Sequence, residues 1–170
     1  MPLTIVRNDI TKMDVDAIVN SANAGLKKGG GVCGAIFETA GTQKLQEECD
    51  AIGHCERGEA VITKGYNLPA RNIIHTVGPV WNGGKSGEPY LLRACYANSL
   101  ALAVRHGCES IAFPLISSGI YGYPKEEALQ IALDAIRDFL LEHELDVYLV
   151  VYDNASFSIS KTLFSDIERY

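Results

Sequence analysis

No two cysteines in this chain stand in a C-x-x-C spacing, and the five that occur (Cys33, Cys49, Cys55, Cys95 and Cys108) are an odd number without a framework pattern. That excludes a disulfide-stapled scaffold and points to free thiols in a reducing, cytoplasmic compartment. Cys49, His54 and Cys55 lie near one another in sequence, but no fourth ligand follows at a familiar spacing, so no metal site is expected. No apolar run approaches the ~20 residues that span a bilayer. The opening segment MPLTIVRNDIT turns polar before the apolar core of a signal peptide can form, and no membrane partner is expected. Cations are scarce: 15 Lys and Arg stand against 21 Asp and Glu, a net charge of −6. Such a chain is poorly suited to hold nucleic acid by phosphate neutralisation, and no basic stripe interleaved with aromatics is present. A small anion is not excluded, because backbone N–H groups bind phosphate without any cationic side chain.

There is also no Pro/Ser linker, no block of like charge and no internal repeat, so the 170 residues read as one domain over 1–170. A chain of that length buries roughly 70% of its unfolded surface and needs no staple. Short apolar, β-branched runs recur at Leu3–Val6, Ala17–Asn20, Ala60–Thr63, Ile73–Val77, Ile111–Leu115 and Val147–Tyr152. Several are apolar at consecutive positions, as in strands covered on both faces. Helical patterns lie between them. One starts at Pro124, with Glu126 and Glu127 near its positive end and an apolar stripe at 128, 129, 132, 135, 136, 139 and 140. Another runs from about Tyr90 to His106 and stops at Gly107. Residues 32–52 are helical with a break near Gly41. A last helix runs from Asn154 to the end, turning Phe157, Leu163, Phe164 and Ile167 inward. This βαβ alternation predicts an α/β domain with a mixed sheet between two helical layers.

Loops at the carboxyl ends of strands carry function in such folds, and two glycine-rich segments fall there. The first runs from Asn20 through Gly29-Gly30-Gly31-Val32-Cys33-Gly34, and the second is Ser117-Ser118-Gly119-Ile120-Tyr121-Gly122-Tyr123. Each sets bare amides at a helix N-terminus, an arrangement that binds phosphate oxygens. Two of them suit a ligand with more than one phosphate. Neither GxxxxGK[ST] nor GxGxxG after the first strand is present.

These segments, together with Asn8-Asp9-Ile10-Thr11, Val19-Asn20-Ser21-Ala22-Asn23, Gly58-Glu59-Ala60-Val61-Ile62-Thr63, Ile74-His75-Thr76-Val77-Gly78-Pro79 and Pro114-Leu115-Ile116-Ser117-Ser118-Gly119, resemble the macrodomains, and their MacroD-like branch in particular. The resemblance covers nearly the whole chain. It implies a three-layer α/β/α domain with a mixed, mostly parallel central sheet, and no cofactor. It further implies binding of ADP-ribose or an ADP-ribosylated protein, with hydrolysis of ADP-ribosyl groups from acidic side chains or of O-acetyl-ADP-ribose. Carried over by position, Asp9 takes the adenine amine and the Ile10 backbone meets the ring; a turn or helix cap is the local alternative for Asp9. Tyr152 stacks on adenine or belongs to the core. Asn23 addresses the distal ribose or closes an Asx turn. Gly30, Gly31, Val32 and Gly34 hold the diphosphate with Ser117, Ser118, Gly119 and Ile120, and Tyr121 packs beside the distal ribose. His75 reads as a hydrogen-bonded core residue. One position departs from the pattern: Cys33 stands where the branch carries an aspartate that helps to activate water, and Phe37 where it carries a histidine. An aspartate is an ionised acceptor at neutral pH, whereas a thiol is a poor one. Two readings follow, a hydrolase using Asn23 and Cys33, and a reader that binds ADP-ribose without turnover.

Overall fold

Ala17 and Val19 are buried in one apolar cluster while Ile18 between them is buried in another, and Ile111 and Phe113 alternate with Ala112 in the same way. Neighbouring side chains of one strand thus enter cores on opposite faces of the sheet, which is why the strands read as unbroken apolar runs. A computed structural model of the chain describes residues 2–163 and 166–170, the side chain of Leu163 excepted.

Among the described residues the strands are β1 (Leu3–Arg7), β2 (Ala17–Ser21), β3 (Ala60–Lys64), β4 (Asn72–Thr76), β5 (Ser110–Phe113), β6 (Asp146–Val151) and β7 (Glu168–Arg169). They form one sheet in the order β3-β4-β2-β5-β6-β1-β7. Every pairing is parallel except β3 with β4. The helices are α1 (Gly31–Ala40), α2 (Thr42–Ile52), α3 (Glu88–Arg105), α4 (Lys125–Leu140) and α5 (Asn154–Leu163). Ile36, Phe37 and Leu45 of α1 and α2 fill the cluster on one face, whereas Leu92, Tyr96 and Leu100 of α3 join Leu129, Leu133 and Ile136 of α4 on the other. This is the three-layer α/β/α arrangement with a mixed, mostly parallel sheet.

The six expected strands and the helices between them are present, with three adjustments. Pro124 sits just ahead of α4 in an extended conformation rather than inside its first turn, and its carbonyl accepts the Ala128 amide at 2.9 Å. The break between α1 and α2 is Gly41 itself, at φ +108°. The last helix does not continue to the end of the chain: α5 stops at Leu163, and Glu168 and Arg169 lie beside Thr4 and Ile5 as β7. Phe157 packs on the core and Ile167 is buried, as expected. The inward positions expected for the Leu163 and Phe164 side chains lie outside the described residues.

Candidate active site

The strands β2, β5 and β6 are adjacent and parallel, so their carboxyl ends open on one rim of the sheet. A cleft of about 490 Å3 lies over that rim. Its walls are the segment leaving β2, the N-terminus of α1, the loop after β5 and the segment leaving β6.

The loop ahead of α1 is braced from within. Asn23 Nδ2 donates to the Lys27 carbonyl at 2.8 Å, and Asn23 Oδ1 accepts the Lys27 amide at 2.9 Å. Gln46 of α2 ties the loop down by donating to the Leu26 carbonyl and accepting the Lys28 amide. Leu26, at φ +56°, plugs the core with 1% of its surface exposed. A Cβ on Gly34 would lie 2.6 Å from the Gly29 carbonyl oxygen, so only glycine lets the loop lie this close to the helix. Gly30 caps α1 without a side-chain bond. The amides of Gly31, Val32 and Cys33 precede the first intrahelical bond, from Gly34 to the Gly30 carbonyl, and have no partner within the helix.

The loop after β5 presents a second row. Ser117 holds φ +67°, a conformation a residue with a Cβ seldom adopts, and its carbonyl accepts the Tyr123 amide at 2.9 Å. Ser118 Oγ donates to the Leu115 carbonyl at 2.8 Å, and the Gly122 amide closes on Gly119. The amides of Gly119, Ile120 and Tyr121 are left without a protein acceptor. The Ser117 hydroxyl is buried against Gly78 and also has no partner among the described residues. Arg57 lies 5.6 Å over the Tyr121 ring and donates to the Gly78 carbonyl at 2.7 Å, bracing the far end of the loop.

Among the described residues the cleft thus carries two rows of unpaired amides, the field of a helix N-terminus and no cationic side chain in its wall. Asp153 is its one charged lining residue among those described. Burial works against the Asp153 charge, but the Ser156 amide and hydroxyl and the Lys125 ammonium outweigh it and hold the carboxyl below its usual range. That carboxylate caps α5, a role legible in the Asp153-x-x-Ser156 spacing.

Of the residues singled out by sequence, Asn23, Gly30, Gly31, Val32, Cys33, Ser117, Ser118, Gly119, Ile120, Tyr121 and Tyr152 line the cleft. Tyr152 follows β6 and is 81% exposed, so the core alternative is excluded and its ring is free to cover a ligand. Asp9, Ile10 and Gly34 do not line it. Asp9 Oδ1 accepts from the Thr11 amide at 2.9 Å and the Thr11 hydroxyl at 2.7 Å, capping the single 3-10 turn Ile10–Lys12, while Ile10 is buried in the core. Gly34 acts through the approach of Gly29 instead. Of the residues weighed as metal ligands, Cys49 and Cys55 are buried in the same apolar cluster, and His54 is exposed and meets Glu56 at 3.0 Å.

A Macro domain family model matches residues 19–132. The chain is 51% identical to a macro domain-containing protein of Methanosarcina mazei over 97% of its own length and 89% of that protein. This chain belongs to the macrodomain family. A Cronobacter sakazakii protein named O-acetyl-ADP-ribose deacetylase is 46% identical to this macrodomain, over 98% of the chain and 96% of the relative. Among solved structures, a variant of the Oceanobacillus iheyensis macrodomain with ADPR superposes with a TM-score of 0.90 at 41% identity, covering 95% of this chain and 90% of that one. The Trypanosoma brucei macrodomain in complex with ADP-ribose superposes at 0.88 and 41% identity, covering 94% and 68%.

Behind the amide rows lies a buried polar cluster that sequence reasoning missed apart from His75. Asn20 of β2 meets His75 of β4 at 3.1 Å and Cys33 Sγ at 3.5 Å, and His75 meets Thr63 of β3 at 3.0 Å. Burial pulls the His75 pKa down to about 4, so the ring is neutral at ordinary pH.

Proposed function

We propose that the cleft binds ADP-ribose and that the chain hydrolyses ADP-ribosyl esters, either O-acetyl-ADP-ribose or mono-ADP-ribosylated Asp and Glu side chains on proteins. The observation that carries this reading is the facing of two rows of unpaired amides, Gly31–Cys33 and Gly119–Tyr121, across one cleft. A diphosphate bridging them meets donors without Cβ hindrance at the glycines, and a helix N-terminus favours its charge. Tyr152 covers the adenine at one end. At the other, Asn23 is locked by Lys27 through one amide hydrogen, which leaves its second hydrogen for a hydroxyl of the distal ribose. A water held between an α-phosphate oxygen of the bent ligand and Cys33 then attacks C1″ or the ester carbonyl. The products are ADP-ribose and the free acid. Positioning and main-chain electrostatics supply the acceleration, since Cys33 is a weak acceptor where a carboxylate would be a strong one.

The same cysteine favours a second reading, a module that holds ADP-ribose without consuming it. Titration calorimetry with ADP-ribose, followed by incubation with O-acetyl-ADP-ribose and an Asp/Glu-ADP-ribosylated protein, separates the two. Binding with product release above a buffer control supports the hydrolase. Binding without release supports the reader, and no binding at millimolar ligand overturns both. Cys33→Asp restores the ionised acceptor and is expected to raise turnover about 10²-fold; an unchanged rate shows that the acceptor is not the limiting feature. With five free thiols and a net charge of −6, we place the protein in the cytoplasm with ADP-ribosylated protein, rather than nucleic acid, as its macromolecular partner.

A further inference from the structure

Hydrogen-bond directions in the cluster behind the cleft are fixed by elimination. Asn20 Nδ2 can only donate, so His75 Nδ1, 3.1 Å away, must accept. A neutral imidazole with an accepting Nδ1 carries its proton on Nε2, which points to Thr63 Oγ1 at 3.0 Å, with Cys49 Sγ further off at 4.0 Å. Thr63 in turn passes its own hydrogen to the Lys64 carbonyl at 3.2 Å. From the opposite end, the second Asn20 hydrogen reaches Cys33 Sγ at 3.5 Å, and the Cys33 thiol faces the Lys27 carbonyl at 3.8 Å. Each hydrogen has an acceptor, and the one loose end is Asn20 Oδ1, buried without a partner. Turning the amide over would place two hydrogens in that unpartnered position and bury two orphan donors instead of one orphan acceptor.

We propose that His75, in its Nε2–H tautomer, is a positioning residue that works through Asn20 to hold the Cys33 sulfur as a hydrogen-bond acceptor in the cleft wall, with the S–H turned toward Lys27. The chain of contacts explains why a thiol can stand there: the socket supplies a donor to whatever occupies position 33, and sulfur accepts it. It also accounts for Phe37, whose ring packs edge-on against His75 at 6.4 Å and closes the cluster from the α1 side. Its importance for turnover rests on the hydrolase reading above, but the arrangement is open to test without any ligand.

The first measurement uses the unaltered protein. Long-range 1H–15N correlation of the His75 ring near neutral pH is expected to report the Nε2–H tautomer; an Nδ1–H ring overturns the proposal. The second follows alkylation of Cys33 by iodoacetamide, located by mass spectrometry. The other thiols react slowly, because burial pushes Cys49 and Cys55 up to about 11 and raises Cys95 and Cys108 as well. Asn20→Leu removes the donor at nearly constant volume and is expected to slow alkylation at Cys33 about fivefold, the weight of one hydrogen bond. Thr63→Val, which removes the acceptor that fixes the tautomer, is expected to move the rate the same way by a smaller factor. ADP-ribose affinity stays within about twofold in both, since the phosphate donors are main chain. A rate that is unchanged or faster in both variants overturns the proposal. Loss of ADP-ribose binding by the unaltered protein overturns the functional reading and leaves the tautomer and alkylation results standing.

Discussion

Lowering the pH from neutral should weaken this fold through His75 before its carboxylates begin to titrate. The ring is fully buried, and its pKa falls from 6.5 in the unfolded chain to about 4 in the folded one. Between those values the unfolded state binds the extra proton, so the free energy of unfolding rises with pH there. The contribution of the neutral ring is complete above the unfolded value and drains away as pH drops toward the folded one. The whole displacement corresponds to about 3 kcal/mol, and the part lost between about pH 7 and about pH 5 comes to about 2 kcal/mol. That is a large share of the 5–15 kcal/mol by which domains are commonly stable. Urea unfolding at a series of pH values, in the unaltered protein and in His75→Gln, measures it directly. The unaltered chain should lose stability steadily across that window, and the Gln variant should start lower and lose little. An equal decline in both proteins would refute the assignment of the effect to His75.

Three further outcomes are expected. Gly34→Ala forces a Cβ to within 2.6 Å of the Gly29 carbonyl, so the loop must shift and ADP-ribose affinity should fall at least ~10-fold, with a smaller change in melting temperature; calorimetry and a thermal scan report the two separately. Tyr152→Ala removes the exposed ring beside the cleft and should weaken ADP-ribose about tenfold, in line with a single base–aromatic stack, while leaving stability untouched. Glu88→Ala should lower the melting temperature by about 5 °C and leave ADP-ribose affinity within about twofold. There the carboxylate accepts the amides of Asn82, Gly84 and Ser86, and although burial opposes its charge those bonds hold the carboxyl below its usual range.

Much of this layout was legible in the order of residues because the inner strands of the sheet, such as β2 and β5, are apolar on both sides and several helix ends carry their own punctuation. Gly41 and Gly107 stop helices where their positive φ values are needed. β7 escaped because Glu168 and Arg169 have no strand-like character; their pairing with Thr4 and Ile5 is imposed by tertiary placement. In the cleft, glycine-rich loops announced the amide rows, and the local alternative for Asp9, a cap, is what its Oδ1 makes with Thr11, as short acidic side chains often do. Apart from His75, the polar cluster was illegible for a different reason. Asn20, Thr63 and His75 come from three strands, and Asn20 faces His75 only through the β2–β4 register. Spacing along the chain carries no trace of that meeting.

In the proposed binding mode the phosphates are held by the peptide backbone, and this has an evolutionary consequence. Side-chain replacement cannot delete a main-chain donor so long as the loop keeps its path, so the hold on the phosphates is insulated from most drift, outside positions such as Gly34 that set that path. In the hydrolase reading the rate is more exposed to change, because the acceptor beside the attacking water is a side chain, that of residue 33. On that reading, a substitution at position 33 changes turnover while the main-chain hold on the nucleotide is kept.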